Sequence, residues 1–130
     1  MKAQIVVDKN SRKIICMAFA NGKKHDFALF KASGVRIAPQ ILAEVDTGYV
    51  GIKKLHANSA HPIKRSKHHK LTAAEKKYNR LISSHRVTNE HAIGFLKRFK
   101  IIAERYRNRR KRFGLRVNLL AGICNFDLLA

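Results

Sequence analysis

Acid is scarce in this chain. Asp and Glu number 8 against 28 Lys and Arg in 130 residues, a formal charge of +20. That scarcity excludes a surface that neutralises itself by ion pairing. A compact molecule so charged repels itself unless a polyanion covers it. Nucleic acid is therefore the expected partner. Long apolar runs are also missing: none approaches the roughly 20 residues a membrane-spanning helix needs. No signal-peptide pattern opens the sequence either, so no membrane partner is expected and the cytoplasm is the expected compartment. Cysteine is limited to Cys16 and Cys124, far apart and each in an apolar string. Their spacing excludes a cysteine metal site and reads as two buried thiols in a reducing compartment. There is no internal repeat, no long linker and no helix-turn-helix signature. A single domain over residues 1–130 is expected. The apolar share of 45% is enough to build its core and excludes wholesale disorder.

The apolar pattern gives an α/β chain. Gln4 to Val7 and Lys13 to Ala20 flank the turn residues Asp8-Lys9-Asn10-Ser11 and read as a hairpin. Asn21-Gly22 ends it. Asp26 is placed to cap a helix through Phe27, Ala28, Leu29, Phe30 and Lys31, which stops near Gly34. Ile41 to Val45 reads as a buried strand ending in the turn Asp46-Thr47-Gly48-Tyr49. A short helix is expected over Val50 to His56. An edge strand is expected over Ala60 to Lys64, because Pro62 forbids a central one. After the charged loop Lys64 to Lys70, Thr72-Ala73-Ala74-Glu75 forms a capping box. A long helical region then runs to about Phe99, broken near Val87 to Asn89, with Tyr78, Leu81, Ile82, Ile93, Leu96 and Phe99 as its apolar stripe. Leu115 to Leu129 reads as a final, mostly buried helix.

Two of the few acids sit where chemistry is plausible. Asp46 follows a strand, and a carboxylate there projects into the cleft where open α/β sheets bind ligands. Gly48 and Gly51 keep its turn slim enough for a phosphate backbone to approach. Glu90 lies in a helix with Arg86 and Gly94 one turn to either side. Hard oxygen donors of this kind suit magnesium or manganese. The ordinary alternative is that Asp46 caps its turn and Glu90 pairs with Arg86 or Lys97. His25-Asp26 reads as a catalytic pair or, more simply, as a helix cap. Asp8 reads as a solvated turn residue. His56, His61, His68, His69, His85 and His91 show no metal spacing.

The basic excess is concentrated in Arg105-Tyr106-Arg107-Asn108-Arg109-Arg110-Lys111-Arg112, six basic residues in eight. Arginine presents forked, permanently charged donors that match phosphate oxygens, and Tyr106 can stack on a base or sugar. Charge alone does not separate DNA from RNA, because both backbones carry the same phosphates. An RNA-binding protein of the ribosomal kind therefore stays open at this point.

The order of words adds a further signal. Asn21 to Phe27, then Val45-Asp46-Thr47-Gly48-Tyr49-Val50-Gly51, then Asn89-Glu90-His91 with Leu96-Lys97-Arg98-Phe99, then Arg105 to Phe113, and lastly Asn118 to Ile123 form an ordered set. It resembles the C-terminal half of bacterial DDE transposases of the insertion-sequence-five type, over essentially the whole chain. The resemblance implies an RNase H-like core in which three acids bind two divalent metals, Mg2+ or Mn2+, for DNA strand cleavage and transfer. Asp46 then matches the second acid and Glu90 the third. The first acid belongs to a strand upstream of the segment that Met1 to Val7 resembles, and nothing here matches it. The expected fold is accordingly an incomplete RNase H-like one: it lacks the first, central strand and keeps a hairpin, one further core strand and long C-terminal helices. The chain is expected to be a fragment, either a truncated gene or the second frame of a frameshifted element. Its partners would be duplex DNA at transposon ends and target, and full-length transposase or an upstream-frame product. The contacts to DNA fall to Arg105, Arg107, Arg109, Arg110, Lys111 and Arg112. The alternative is a non-catalytic nucleic-acid-binding protein or a repressor of transposition.

Overall fold

The computed structural model describes residues 2–100 and 110–129. In chain order the elements are β1 (Lys2–Val7), β2 (Ile14–Ala20), α1 (Asp26–Ser33), β3 (Ala43–Glu44), β4 (Ser59–Ala60), α2 (Ala73–His85), α3 (Val87–Leu96) and α4 (Phe113–Asp127). Single 3-10 turns lie at Thr47–Tyr49, Ile52–Lys54 and Arg110–Arg112. The chain is thus mixed α/β, with two small sheets, β1–β2 and β3–β4. It forms two compact units, one from Met1–Gly22 with Val87–Ala130 and one from Lys23–Arg86.

In the first unit β1 and β2 pair antiparallel, with Lys2 opposite Ala20 and Val6 opposite Cys16. Val7 then faces Ile14, so Ile15 is the extra residue of a bulge and is exposed. The Asp8 carboxylate closes the connecting turn by accepting the Asn10 N–H at 2.9 Å. The core lies between the hairpin, α3 and α4, where Ile14, Ala92, Leu96, Ala121 and Cys124 are buried together, with Ile5, Met17 and Phe95 against them. Phe19 meets Phe113 edge to face, ring centres 5.3 Å apart. The Asn125 side chain of α4 grips the backbone of Ile14 at both ends. Its Oδ1 accepts the Ile14 N–H at 2.7 Å, and its Nδ2 donates to the Ile14 carbonyl at 2.8 Å. One amide thereby does the work of a neighbouring strand for that residue.

The second unit is built around Ile52, which is fully buried, with Leu29, Phe30 and Ile82 buried in the same unit. α1 ends at Gly34 in the left-handed region, φ 68°. β3 and β4 are parallel and only two residues long, Ala43 opposite Ser59 and Glu44 opposite Ala60. α2 opens on the capping box expected from Thr72 and Glu75: Thr72 Oγ1 accepts the Glu75 N–H and the Glu75 carboxylate accepts the Thr72 N–H. Asn79 of α2 grips the backbone of Ile63 just as Asn125 grips Ile14, at 2.8 and 3.0 Å.

Several elements differ from expectation, each for a physical reason. The apolar run Ile41 to Val45 is not a buried strand: only Ala43–Glu44 is extended and paired, and Ile41 and Leu42 are half exposed. Its partner β4 is just as short, and a two-residue parallel pair covers little apolar surface. β4 precedes Pro62 rather than including it, since proline has no N–H for a ladder. Val50 to His56 contains a single 3-10 turn, Ile52–Lys54, instead of an α-helix. His25, not Asp26, holds the N-cap position of α1, and Asp26 sits in the first turn, where a carboxylate suits the helix dipole. The long helical region breaks at Arg86, slightly before the expected Val87, and α3 ends at Leu96 rather than Phe99. α4 begins at Phe113, two residues earlier than the Leu115 expected.

Candidate functional site

Asp46 leaves β3 through Val45, whose N–H is tied to the Ala60 carbonyl at 2.9 Å. Its backbone is extended and it caps the 3-10 turn Thr47–Tyr49. Oδ1 accepts the Thr47 N–H at 2.7 Å and the Thr47 hydroxyl at 3.3 Å. The capping part that the sequence also allowed is therefore real, but it uses one oxygen. The other, Oδ2, receives Nη2 of Arg86 at 3.2 Å. Both side chains are substantially open to solvent, Asp46 49% and Arg86 37% exposed. The ordinary alternative paired Glu90 with Arg86 or Lys97; the Arg86 guanidinium goes to Asp46 instead. The i,i+4 spacing that suggested Glu90 holds only inside a helix, and Arg86 is the C-cap where α2 stops.

The neighbouring acid repeats the pattern. Glu44 Oε1 meets His85 Nδ1 at 2.8 Å, in a more sheltered place. Glu44 and Asp46 are two apart in extended chain and so project to the same side. His85 and Arg86 are adjacent at the C-terminal end of α2, where the helix dipole favours positive charge. The strand exit and the helix end are clasped at two successive points. The signal was present in the sequence as Glu-x-Asp and His-Arg, yet nothing local says that those pairs meet.

The turn after Asp46 is shaped from within. A Cβ at Gly48 would run into the Asp26 carboxylate. Gly51 has φ 100° and backs onto the Phe27 ring, a backbone state that L side chains rarely adopt. Both glycines thus have an internal reason beside the slim profile expected of them. Asp26 and Asp46 flank Tyr49: burial pushes its phenol above the ordinary range, and the two carboxylates push it further. The placement of Asp26 beside this turn was not legible, because α1 and the turn are distant in sequence.

Glu90 stands in the first turn of α3 with its side chain exposed, while Ala92 and Leu96 carry the buried face of that helix. Gly94, one turn on, borders open space: an added Cβ would touch nothing within 4 Å. Of the basic segment, Arg105, Arg107 and Arg109 lie outside the described residues. Arg110–Arg112 form a 3-10 turn leading into α4, and Lys111 and Arg112 are exposed. No acid lies in the first turn of α4, so nothing there neutralises them along the helix. A second basic stretch, Lys64 to Lys70, is exposed and folds back through paired hydrogen bonds between Ser66 and His69.

The other expected side chains are ordinary. The N–H groups of Asn10 and Ser11 hold the Asp8 carboxyl below the usual range. His56 is buried and bonded to the Ile41 carbonyl at 2.7 Å, and His69 bonds to Glu75. Burial raises both thiols, Cys124 being buried and Cys16 partly so. Among the described residues no three His, Cys, Asp or Glu side chains converge on a point that would hold a metal ion, and no helix is long and apolar enough to cross a membrane.

No solved structure matches the chain. The chain is similar to a protein of Microchaete diplosiphon described as "Probable transposase for insertion sequence element IS702", 44% identical over 128 residues. The match takes in 98% of the chain and 46% of the relative, so the chain spans about half the length of that protein. A family model described as DDE superfamily endonuclease matches residues 1–125, through both units and both acids. By that match the chain belongs to the DDE superfamily endonucleases.

Proposed function

We propose that this chain supplies two carboxylates, Asp46 and Glu90, of a three-acid site for DNA strand cleavage and transfer, in an RNase H-like framework whose central strand and first acid come from another segment. The observation that carries this is Asp46. It lies within the segment matched to an endonuclease family and at the exit of a parallel strand, with its side chain half exposed and one oxygen on the Arg86 guanidinium. Carboxylate oxygens such as those of Asp46 and Glu90 are hard donors of the kind Mg2+ or Mn2+ takes. When bound, such ions activate the attacking oxygen and stabilise the leaving one. Asp46 and Glu90 would hold them, the Thr47 N–H keeping the Asp46 carboxylate oriented. Arg105, Arg107, Arg109, Arg110, Lys111 and Arg112 hold backbone phosphates of duplex DNA, with Lys111 and Arg112 exposed at the entry to α4.

The isolated chain then binds DNA without cutting it. Joined to a segment bearing the first acid, it cuts transposon-end DNA with magnesium. Cleavage by the isolated chain contradicts the incomplete-site assignment. The same Arg86 contact favours a second role, repression, since a chain whose Asp46 is already neutralised occupies transposon ends without reacting. Titrated into a transposition assay, it inhibits; no inhibition at saturating occupancy of the ends contradicts that role.

A further inference from the structure

The basic loop 64–70 is tied down at both ends. Just before it, the Asn79 amide holds the Ile63 backbone, at 2.8 Å to the N–H and 3.0 Å to the carbonyl. Near its end, His69 Nε2 meets the Glu75 carboxylate at 3.1 Å. Glu75 and Asn79 are one turn apart, so both anchors stand on one side of α2. Between them Ser66 and His69 exchange backbone hydrogen bonds and fold the loop on itself. Lys64, Arg65, Lys67 and Lys70 of this loop are exposed. On the helix, Lys76 and Arg80 each follow an anchor by one residue, and with Lys77 they carry the charge onto its exposed side. Among the described residues none of these lysines and arginines is ion-paired. The acids of this unit are turned elsewhere. Glu44 and Asp46 meet His85 and Arg86, Glu75 is held by Thr72 and His69, and Asp26 lies against the turn at Gly48. A merely solvated helix face mixes both signs. The only acid of α2 is Glu75, already used.

We propose that the loop 64–70 and the Lys76, Lys77 and Arg80 side of α2 form one phosphate-binding surface for duplex DNA, separate in sequence from the basic run at 105–112. Because Asn79 and Glu75 already hold the loop, binding does not bear the cost of ordering it. This rests on duplex DNA being the partner, and the test separates the two statements. Binding of the full chain to a duplex is followed by filter binding between about 50 and 200 mM salt. Each variant loses two charges: Lys64→Gln with Lys67→Gln in the loop, Lys76→Gln with Arg80→Gln on α2, and Lys31→Gln with Arg36→Gln at exposed positions outside the surface. Each lost phosphate contact takes about 0.9 from the slope of log affinity against log salt. The loop pair and the α2 pair should each flatten it by about 1.8, so that affinity drops about tenfold less across that range. The pair at Lys31 and Arg36 should keep the wild-type slope. Duplex binding by wild type, with the loop and α2 pairs no flatter than that pair, overturns this surface and leaves DNA to the other basic run. A wild type that takes structured RNA over the duplex in competition overturns both statements. Should the loop or α2 pair fail to fold by circular dichroism, amine acetylation of wild type with and without duplex decides. Saturating duplex must protect Lys64, Lys67, Lys70 and Lys76 relative to Lys31; equal labelling overturns the surface.

Discussion

Single side chains carry unusual weight here, because short strands leave backbone groups that other atoms must satisfy. Asn125 is the clearest case. Truncating it to alanine strips both partners from the Ile14 backbone, which is largely shielded from water. Asn125→Ala should therefore cost about 1–3 kcal/mol, read as a lower urea midpoint with an unchanged slope. The equivalent loss at Asn79 falls on Ile63. Neither clasp was legible, since an asparagine in a helix has no signature of a distant backbone partner. Arg86 was misassigned for the opposite reason. A spacing rule existed for it, but the rule presumes one continuous helix, and α2 caps at Arg86 itself. Asp46 was legible as a turn cap after extended chain, and Gly51 as a turn residue. The carboxylate of Asp26 over that turn was not, since only tertiary folding brings α1 there.

Elements whose signals are local were the readable ones. The α2 start was fixed by Thr72 and Glu75, and both hydrogen bonds of the capping box are present. Thr72→Ala should cost about 1 kcal/mol of stability by thermal melt. The box also has a pH signature. The Thr72 N–H, aided by His69, holds the Glu75 carboxyl below its ordinary 4.5. A lowered folded-state pKa stabilises fully above the unfolded value and is lost as pH falls through the folded one. Amide protection at the start of α2, taken relative to the intrinsic exchange rate, should therefore fall below about pH 4.5, and Glu75→Gln should remove that dependence. In α3 an open glycine makes a separate forecast. A Cβ on Gly94 meets nothing, so Gly94→Ala should stabilise by about 0.5–1 kcal/mol while weakening DNA binding if substrate lies along that face. Apolarity alone does not bury the run Ile41 to Val45. A strand buries its side chains only to the extent that it has neighbours, and β3 has one neighbour of two residues. The hairpin succeeded because both of its strands and its Asp8 turn lie within one short stretch.

The whole molecule is governed by its charge. At +20, stability and DNA affinity should both respond to salt, in opposite directions. Added salt screens self-repulsion and raises the melting temperature. It also competes for phosphates: a protein neutralising about six to ten of them loses about 10³–10⁵ in affinity between about 50 and 200 mM. Filter binding to duplex DNA across that range reads the slope, and a flat profile contradicts a phosphate-binding surface. Family membership spans residues 1–125 and therefore both compact units, so neither unit alone carries the two acids. Ordered motifs disclosed the family, while the meeting of Asp46 with Arg86 needed the folded chain. The most direct test is made with this chain joined to the remaining part of its Microchaete diplosiphon relative, following magnesium-dependent cleavage of a transposon end. The account predicts robust cutting by the joined protein and its loss, by at least about a hundredfold, in both Asp46→Asn and Glu90→Gln with DNA binding kept. Cutting that persists in either variant contradicts it.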